Sequence, residues 1–136
     1  MPERAVTDSP ELLPSGTVLA RLDDLPDGAT REFLLGSGDW PLSGFLVRVG
    51  ETVHAYLNRC PHALRSLNFL PDSFLTPDGE LIRCCSHGAL FEKETGLCIA
   101  GPCVDESLRR ITVEVVGDSV RLGEDLDLQR LERWPR

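Results

Sequence analysis

Short apolar segments recur between residues 29 and 123, and turns that contain glycine or proline separate them. Alternation of apolar and polar residues predicts strands, because successive side chains of a strand point to opposite faces. The candidate strand segments are residues 29–35, 44–50, 52–60, 80–85, 89–101 and 110–123. Many short strands with a turn every ~10 residues predict an all-β fold, a small antiparallel sandwich or barrel.

Two hairpins have the clearest pattern. Residues 44–60 carry branched side chains on both sides of a turn at Gly50-Glu51. Residues 110–123 turn at Gly117-Asp118, with apolar residues at every second position before and after the turn. Before the turn, these apolar residues alternate with polar Thr112 and Glu114, as in a strand. The apolar residues are Ile111, Val113, Val115, Val120 and Leu122.

The ends of the chain differ from its centre and suggest a division into three parts. Residues 1–16 are rich in proline and charge, which predicts a flexible tail, and residues 17–123 form the folded domain. Residues 124–136 form a C-terminal extension with Leu128, Leu131 and Trp134 at helical spacing, which predicts a short amphipathic helix.

The amino-acid composition limits the partners and the cellular location to be expected for this protein. The formal net charge of −8 argues against a nucleic-acid partner, since phosphate binders present a basic face, and it disfavours anionic membranes. The sequence has neither the apolar run of a membrane span nor the pattern of a signal peptide, so we expect a cytoplasmic protein. In a reducing compartment its 5 cysteines favour metal binding or thiols over a disulfide framework.

Two histidines follow cysteines closely, each time where a predicted strand ends. The first pair lies in Cys60-Pro61-His62 and the second in Cys84-Cys85-Ser86-His87. Read from Cys85 the second segment is C-x-H, and read from Cys84 it is C-x-x-H. Adjacent residues rarely ligate one metal site together, because neighbouring side chains point in different directions. One of the two cysteines is therefore expected to be a ligand.

Three kinds of metal site use cysteine and histidine ligands and are compared here with these residues. Zinc accepts two cysteines and two histidines, but its ligands usually come in like pairs, whereas each pair here is mixed. Copper prefers a methionine beside two histidines and a cysteine, and the only methionine is Met1. A Rieske-type [2Fe–2S] cluster takes two cysteines on one iron and two histidines on the other, which two mixed loops supply.

The sequence resembles the Rieske iron–sulfur family, whose signature is C-x-H followed after an interval by C-x-x-H-G. It stands here as "CPH" at 60–62 and "CCSHG" at 84–88, and "HGALFEKETGLCIAGP" at 87–102 continues the likeness. The resemblance covers residues 26 to 122. It implies a two-loop cluster-binding subdomain and one [2Fe–2S] cluster. The implied ligands are Cys60, His62, Cys84 and His87, with Cys85 as a spacer.

Several positions depart from the high-potential members of this family. Ala89 stands for a serine donor, Phe91 for a tyrosine donor and Ser86 for a loop cysteine, so the resemblance points to the low-potential ferredoxin branch. Leu64 and Arg65 stand where many relatives carry glycine. Outside both motifs, Cys98 and Cys103 are expected to be reduced thiols, with Cys103 in a loop that the family folds near its cluster.

The resemblance implies an electron carrier rather than an enzyme, passing single electrons from a flavoprotein reductase to a terminal oxygenase or reductase. Partners would dock over His62 and His87. Two alternatives stay open. One is a small Rieske subunit of a larger, nitrite-reductase-like assembly, and the other is a zinc-stapled interaction module without a redox role.

Overall fold

The computed structural model describes residues 12–35, 42–61, 66–86 and 88–134, which form twelve strands and one short helix. The strands are β1 (Leu12–Leu13), β2 (Val18–Arg21), β3 (Thr30–Leu34), β4 (Ser43–Val49), β5 (Thr52–Leu57), β6 (Leu81–Arg83), β7 (Leu90–Glu92), β8 (Cys98–Ala100), β9 (Arg110–Ile111), β10 (Val113–Val116), β11 (Ser119–Leu122) and β12 (Leu126–Asp127). Helix α1 spans Leu128–Glu132, and a 3₁₀ turn spans Leu22–Asp24.

The described strands pair antiparallel throughout. A four-stranded sheet has the order β9-β5-β4-β3, and a three-stranded sheet has the order β10-β11-β2. Strands β12 and β1 pair alone, and β6-β7-β8 form a separate small sheet. The predicted all-β antiparallel fold is confirmed, and the small sheet belongs to the part of the chain that carries the second cysteine–histidine motif.

Both predicted hairpin turns are confirmed. Val49 pairs with Thr52 around Gly50, and Val116 pairs with Ser119 around Gly117. Both glycines have a positive φ, +63° and +62°, which glycine adopts at little cost.

The alternating apolar residues of 110–123 differ in burial. Ile111, Val120 and Leu122 are buried, but Val115 is 41% exposed. Val115 lies on the edge strand β10, whereas Val120, its cross-strand partner, lies on the central strand β11. The strand also changes sheet near Thr112, so that Ile111 pairs with Ala55 of β5 while Val113 pairs with Leu122 of β11.

The N-terminal segment contains structure that the sequence pattern did not predict. Strand β1, which lies within the predicted tail of residues 1–16, pairs with β12 through Leu13 and Leu126. Residues 1–11 lie outside the described residues. Strand β2 was also missed, and it pairs with β11.

The four-stranded sheet buries both of its faces, which explains the continuous apolar run in β4. Leu46 faces one core, together with Phe33 and Ala55. Phe45 and Val47 face a second core, which contains Cys60, Cys84, Cys98 and Cys103. One core therefore joins the sheet to the C-terminal elements, and the other joins it to the cysteine-bearing loops.

The C-terminal extension packs on the body of the chain. Leu128 and Leu131 of α1 are buried in the first core, and the Asp127 side chain caps the helix by accepting from the Gln129 and Arg130 amides. The Arg59 guanidinium donates to the carbonyls of Leu131, Glu132 and Trp134. Within the described residues, no helix has the length and apolar character needed to cross a membrane.

Replacing Gly96 by alanine should destabilise the fold more than replacing Gly117. Both residues have a positive φ, but a Cβ on Gly96 would lie 2.8 Å from the Tyr56 ring, whereas a Cβ on Gly117 would meet no atom within 4 Å. We expect Gly117→Ala to lower the free energy of unfolding by about 1 kcal/mol and Gly96→Ala by about 3 kcal/mol. Urea denaturation measures both, and equal losses would contradict the packing of Gly96 against Tyr56.

Candidate metal centre

Two loops that begin at the ends of β5 and β6 bring two cysteines into one core. Cys60 follows β5 and is 1% exposed, and Cys84 follows β6 and is 0% exposed. Both thiols belong to the same cluster of buried side chains. His62 and His87 lie outside the described residues, as do Leu64 and Arg65.

The backbone distinguishes the two adjacent cysteines. The Cys84 amide donates to the Ala89 carbonyl at 2.9 Å, and the Gly88 amide donates to the Cys84 carbonyl at 2.9 Å. These bonds close a tight turn at Gly88, whose φ is +74°. Cys84 is fully buried, whereas Cys85 is partly exposed. The burial of Cys84 supports its selection as the ligand and leaves Cys85 as the spacer.

A short chain of hydrogen bonds connects the two loops. The Cys85 amide donates to the Leu67 carbonyl at 2.8 Å, which links the second loop to the end of the first. The Leu67 amide in turn donates to Asn58 Oδ1 at 2.8 Å, which ties the end of the first loop to its beginning. The spacing between the loops is therefore held by backbone contacts as well as by side-chain burial.

Asn58 is the polar centre of this arrangement, and the sequence patterns did not identify it. It is 6% exposed, and its Nδ2 group donates to Glu32 Oε2, Ser43 Oγ and Asn68 Oδ1 at 3.2, 3.0 and 3.0 Å. Buried amides usually have such partners, because an unsatisfied polar group is costly. The sequence feature that could have pointed to this role is its position, because Asn58 follows an apolar strand and lies two residues before Cys60.

A third loop packs against the second. Gly101 has a φ of +99°, and a Cβ there would lie 2.8 Å from Ala89 Cα, so the loop approaches too closely for another residue. Cys103 follows in this loop, and its Sγ donates to Cys98 Sγ at 3.2 Å, so the two are thiols and are not joined by a disulfide. Burial, followed by contacts with Cys98 and Cys60, raises the pKa of Cys103.

A shallow cleft of about 280 Å³ opens beside the second loop and is lined by Phe69, Arg83, Cys84, Cys85 and Gly88. Phe69 is 73% exposed and its neighbour Leu70 is 68% exposed, which is unusual for adjacent large apolar side chains. A larger cleft of about 730 Å³ lies at the C-terminal extension and contains no cysteine. The apolar surface next to the thiols is therefore the better candidate for contact with another molecule.

The chemistry of the described donors fits an iron–sulfur centre. Two buried thiols from two loops, held in an apolar core, are suitable thiolate ligands. Among the described residues, no group of three or more histidine, cysteine or acidic side chains is placed to hold a metal ion. A complete ligand set therefore needs donors from outside these residues, and His62 and His87 are the predicted ones.

The model of the Rieske [2Fe-2S] domain matches residues 16–122 of this chain. This range contains both loops and the third loop with Cys103. No curated protein matches the chain.

Solved structures with the same fold include ferredoxins and oxygenases. The ferredoxin of carbazole 1,9a-dioxygenase from Nocardioides aromaticivorans IC177 is 27% identical with a TM-score of 0.63, over 81% of this chain and 98% of that one. A chain in a complex of reduced oxygenase and oxidized ferredoxin in carbazole 1,9a-dioxygenase is 27% identical with a TM-score of 0.60, over 87% and 98%. The terminal oxygenase of carbazole 1,9a-dioxygenase from Novosphingobium sp. KA1 is 20% identical with a TM-score of 0.62, over 84% of this chain but 30% of that one.

Serine substitutions at the adjacent cysteines should have opposite outcomes. Cys84→Ser removes a buried thiol at the predicted ligand position, so we expect loss of the visible absorbance of an iron–sulfur centre. Cys85→Ser changes a partly exposed spacer and should leave the spectrum intact. Absorbance and iron content of the purified variants measure this. Loss of the spectrum in Cys85→Ser alone would show that the ligand register is wrong.

Replacing Asn58 by aspartate tests the loop network with little change in shape. The variant keeps the acceptor for the Leu67 amide but places a carboxylate against Glu32. We expect a loss of about 2 kcal/mol in the free energy of unfolding, because a half-buried pair of like charges replaces a hydrogen bond.

Glu32→Gln provides the matched control, because it removes the repulsion. In a double-mutant cycle, the variant with both Asn58→Asp and Glu32→Gln should lose about 1 kcal/mol less free energy of unfolding than the sum of the two single variants. Additive effects would mean that Asn58 does not act through Glu32.

Proposed function

Because this chain belongs to the Rieske [2Fe-2S] domain family, which matches residues 16–122, we propose that Cys60, His62, Cys84 and His87 ligate its single cluster. The burial of Cys60 and Cys84 in one core supports the thiolate half of this set. The histidine half is supported by the mixed motifs alone. We also propose that residues 17–123 form the cluster-binding domain, flanked by residues 1–16 and 124–136, whose strands β1 and β12 pair with each other.

The protein functions as an electron carrier rather than as an enzyme. When bound, a [2Fe–2S] cluster accepts and releases single electrons without making or breaking bonds in a substrate. The observation that carries this proposal is the 98% coverage of a dioxygenase ferredoxin chain, since this chain matches a separate carrier nearly from end to end.

The residues of this chain hold the centre and protect it. Buried apolar side chains around Cys60 and Cys84 exclude water, and the Asn58 network connects the two ends of the first loop. Arg59, next to Cys60, ties the start of the first loop to the C-terminal helix. Little rearrangement is then needed when the charge of the centre changes by one electron.

The partners are redox proteins, a flavoprotein reductase on one side and a terminal oxygenase on the other. The neighbouring surface of Phe69 and Leu70 supports a docking site beside the second loop, because exposed aromatic and aliphatic side chains are common anchors of interfaces. The net charge of −8 favours a partner with a basic surface around its apolar contact.

The alternative function, as a permanent subunit of a larger reductase, is less well supported. Such a subunit would use the apolar stripe of the C-terminal extension as an interface, but Leu128 and Leu131 are 5% and 2% exposed and pack on the chain itself. We also propose a reducing, cytoplasmic location, where Cys98 and Cys103 stay thiols.

Two electron-transfer steps test the function, one from a reductase to this protein and one from this protein to an oxygenase. The purified protein should be reduced by the flavoprotein reductase encoded nearest to its gene, and it should then reduce the oxygenase encoded there. Stopped-flow absorbance of the cluster follows both steps. A protein that holds its cluster but exchanges electrons with neither partner would contradict the proposal.

The midpoint potential should lie at the low end of the Rieske range, about −150 mV, because Ala89 and Phe91 offer no hydroxyl donor. Both side chains are fully buried, so a hydroxyl at residue 89 would be held near the turn that contains Cys84. Ala89→Ser should therefore raise the potential by roughly 40 mV. Voltammetry at neutral pH measures both, and a strongly positive native potential would contradict the low-potential assignment.

Truncating Phe69 should weaken docking without changing the potential. We expect Phe69→Ala to raise the concentration of carrier at half-maximal oxygenase turnover about tenfold, since an aromatic anchor commonly contributes more than about 1 kcal/mol.

Val116→Ala is the matched control, because Val116 is also an exposed apolar side chain, 43% exposed at the end of β10. That strand packs against the first core and not against the core that contains the cysteines. Equal effects of the two substitutions would place the docking surface elsewhere.

A further inference from the structure

Arg83 differs from the other partly buried arginine and lysine side chains in the described part of the chain. Each of the others donates to a backbone carbonyl or a serine hydroxyl, or lies within 3.9 Å of a carboxylate. They are Arg48, Arg59, Lys93, Arg109 and Arg121. The Arg83 side chain has no hydrogen bond or ion pair with any residue that the structure describes. The N–H donors of its guanidinium are therefore open to another molecule.

The strand around Arg83 directs its side chain away from the core. Successive side chains of a strand point to opposite faces, and the neighbours Ile82 and Cys84 are both 0% exposed. Arg83 pairs with Leu90 of β7, and its amide donates to the Phe74 carbonyl at 2.8 Å, so its backbone is held on both sides. Cys84 thus faces inward, towards the proposed cluster, while the guanidinium faces the outer surface.

The cleft that Arg83 lines combines one positive charge with an apolar wall. Its volume is about 280 Å³, and Arg83 is the one charged residue among its lining residues, which also include Phe69. This volume is below the usual range for small-molecule pockets, about 300–1,000 Å³, and suits a single protein side chain. A guanidinium pairs well with a carboxylate, to which it can donate two parallel hydrogen bonds. The cleft therefore fits an aspartate or glutamate side chain with an apolar neighbour.

We propose that Arg83 recognises one carboxylate of the terminal oxygenase, on an aspartate or glutamate side chain that enters this cleft beside Phe69 when the two proteins dock. The inference rests on the proposed function as an electron carrier. The net charge of −8 attracts a basic surface and repels an isolated acidic group, so an acidic group at the contact needs a cation opposite it. Arg83 supplies that cation and so fixes how the oxygenase is oriented on the second loop.

Binding of the oxidised protein to the oxygenase tests the proposal without electron transfer, so a change in midpoint potential does not affect the result. Arg83→Gln removes the charge and keeps a long polar side chain, and we expect the dissociation constant measured by calorimetry to rise about tenfold. The substitution also makes the net charge of the chain more negative, which on its own strengthens binding to a basic surface. A weaker complex therefore reports the local contact.

Arg121→Gln is the matched control, because it makes the same change in net charge at a partly buried arginine of β11, in the three-stranded sheet. It should leave the dissociation constant unchanged or lower it slightly. Equal dissociation constants for the two variants would overturn the proposal.

A carbodiimide cross-link identifies the acceptor directly. This reagent joins a carboxylate to an amine in contact with it, and Lys93 is the only lysine of the sequence. Arg83→Lys in a Lys93→Arg background therefore leaves one side-chain amine, at residue 83. Peptide mapping should find residue 83 joined to an aspartate or glutamate of the oxygenase, whereas Arg121→Lys in the same background should give no cross-link. A complex that forms without a cross-link at residue 83 contradicts the proposal.

Failure of the proposed function has a different outcome. If the native protein neither binds nor reduces the oxygenase encoded nearest to its gene, the electron-carrier function and this inference are both wrong. If the native protein does both, and Arg83→Gln binds as tightly as Arg121→Gln, this inference alone is wrong.

Discussion

The hydrogen bond from the Leu67 amide to the Asn58 side chain is the contact on which the geometry of the metal centre depends. It joins the end of the first loop to the strand from which that loop starts. Leu67 also accepts from the Cys85 amide, so the same short segment fixes the second loop. These bonds connect the two loops through Leu67, and the burial of Cys60 and Cys84 in one core holds the loops together as well.

The central sheet provides the buried, well-packed surroundings in which this hydrogen bond is stable. Its two faces bury two separate cores, and Phe45 stacks on Phe74 of the long inter-motif segment with ring centroids 4.1 Å apart. Asn58 lies at the end of β5, where the sheet still excludes water but the backbone begins to leave it. A buried amide with four partners is favourable there, because each partner would otherwise lose its own hydrogen bond.

Much of this fold follows from local pattern. The turns at Gly50 and Gly117 and the strands between them were predictable, because alternation and a residue with positive φ are both local properties of the sequence. The choice of Cys84 over Cys85 as a ligand came from the resemblance to the family motif, and it stays a prediction. Asn58, β1 and the exposure of Val115 were not predictable, because each depends on residues distant in sequence, such as Glu32 for Asn58 and Leu126 for Leu13.

Metal and sulfide analysis, combined with pulsed EPR of the reduced protein, tests whether two cysteines and two histidines hold one [2Fe–2S] cluster. We expect equal amounts of iron and acid-labile sulfide, two of each per chain, and hyperfine couplings from two nitrogen ligands. One of these couplings should disappear in His62→Cys and the other in His87→Cys. A colourless protein that contains zinc, or a cluster without nitrogen coupling, would contradict this ligation.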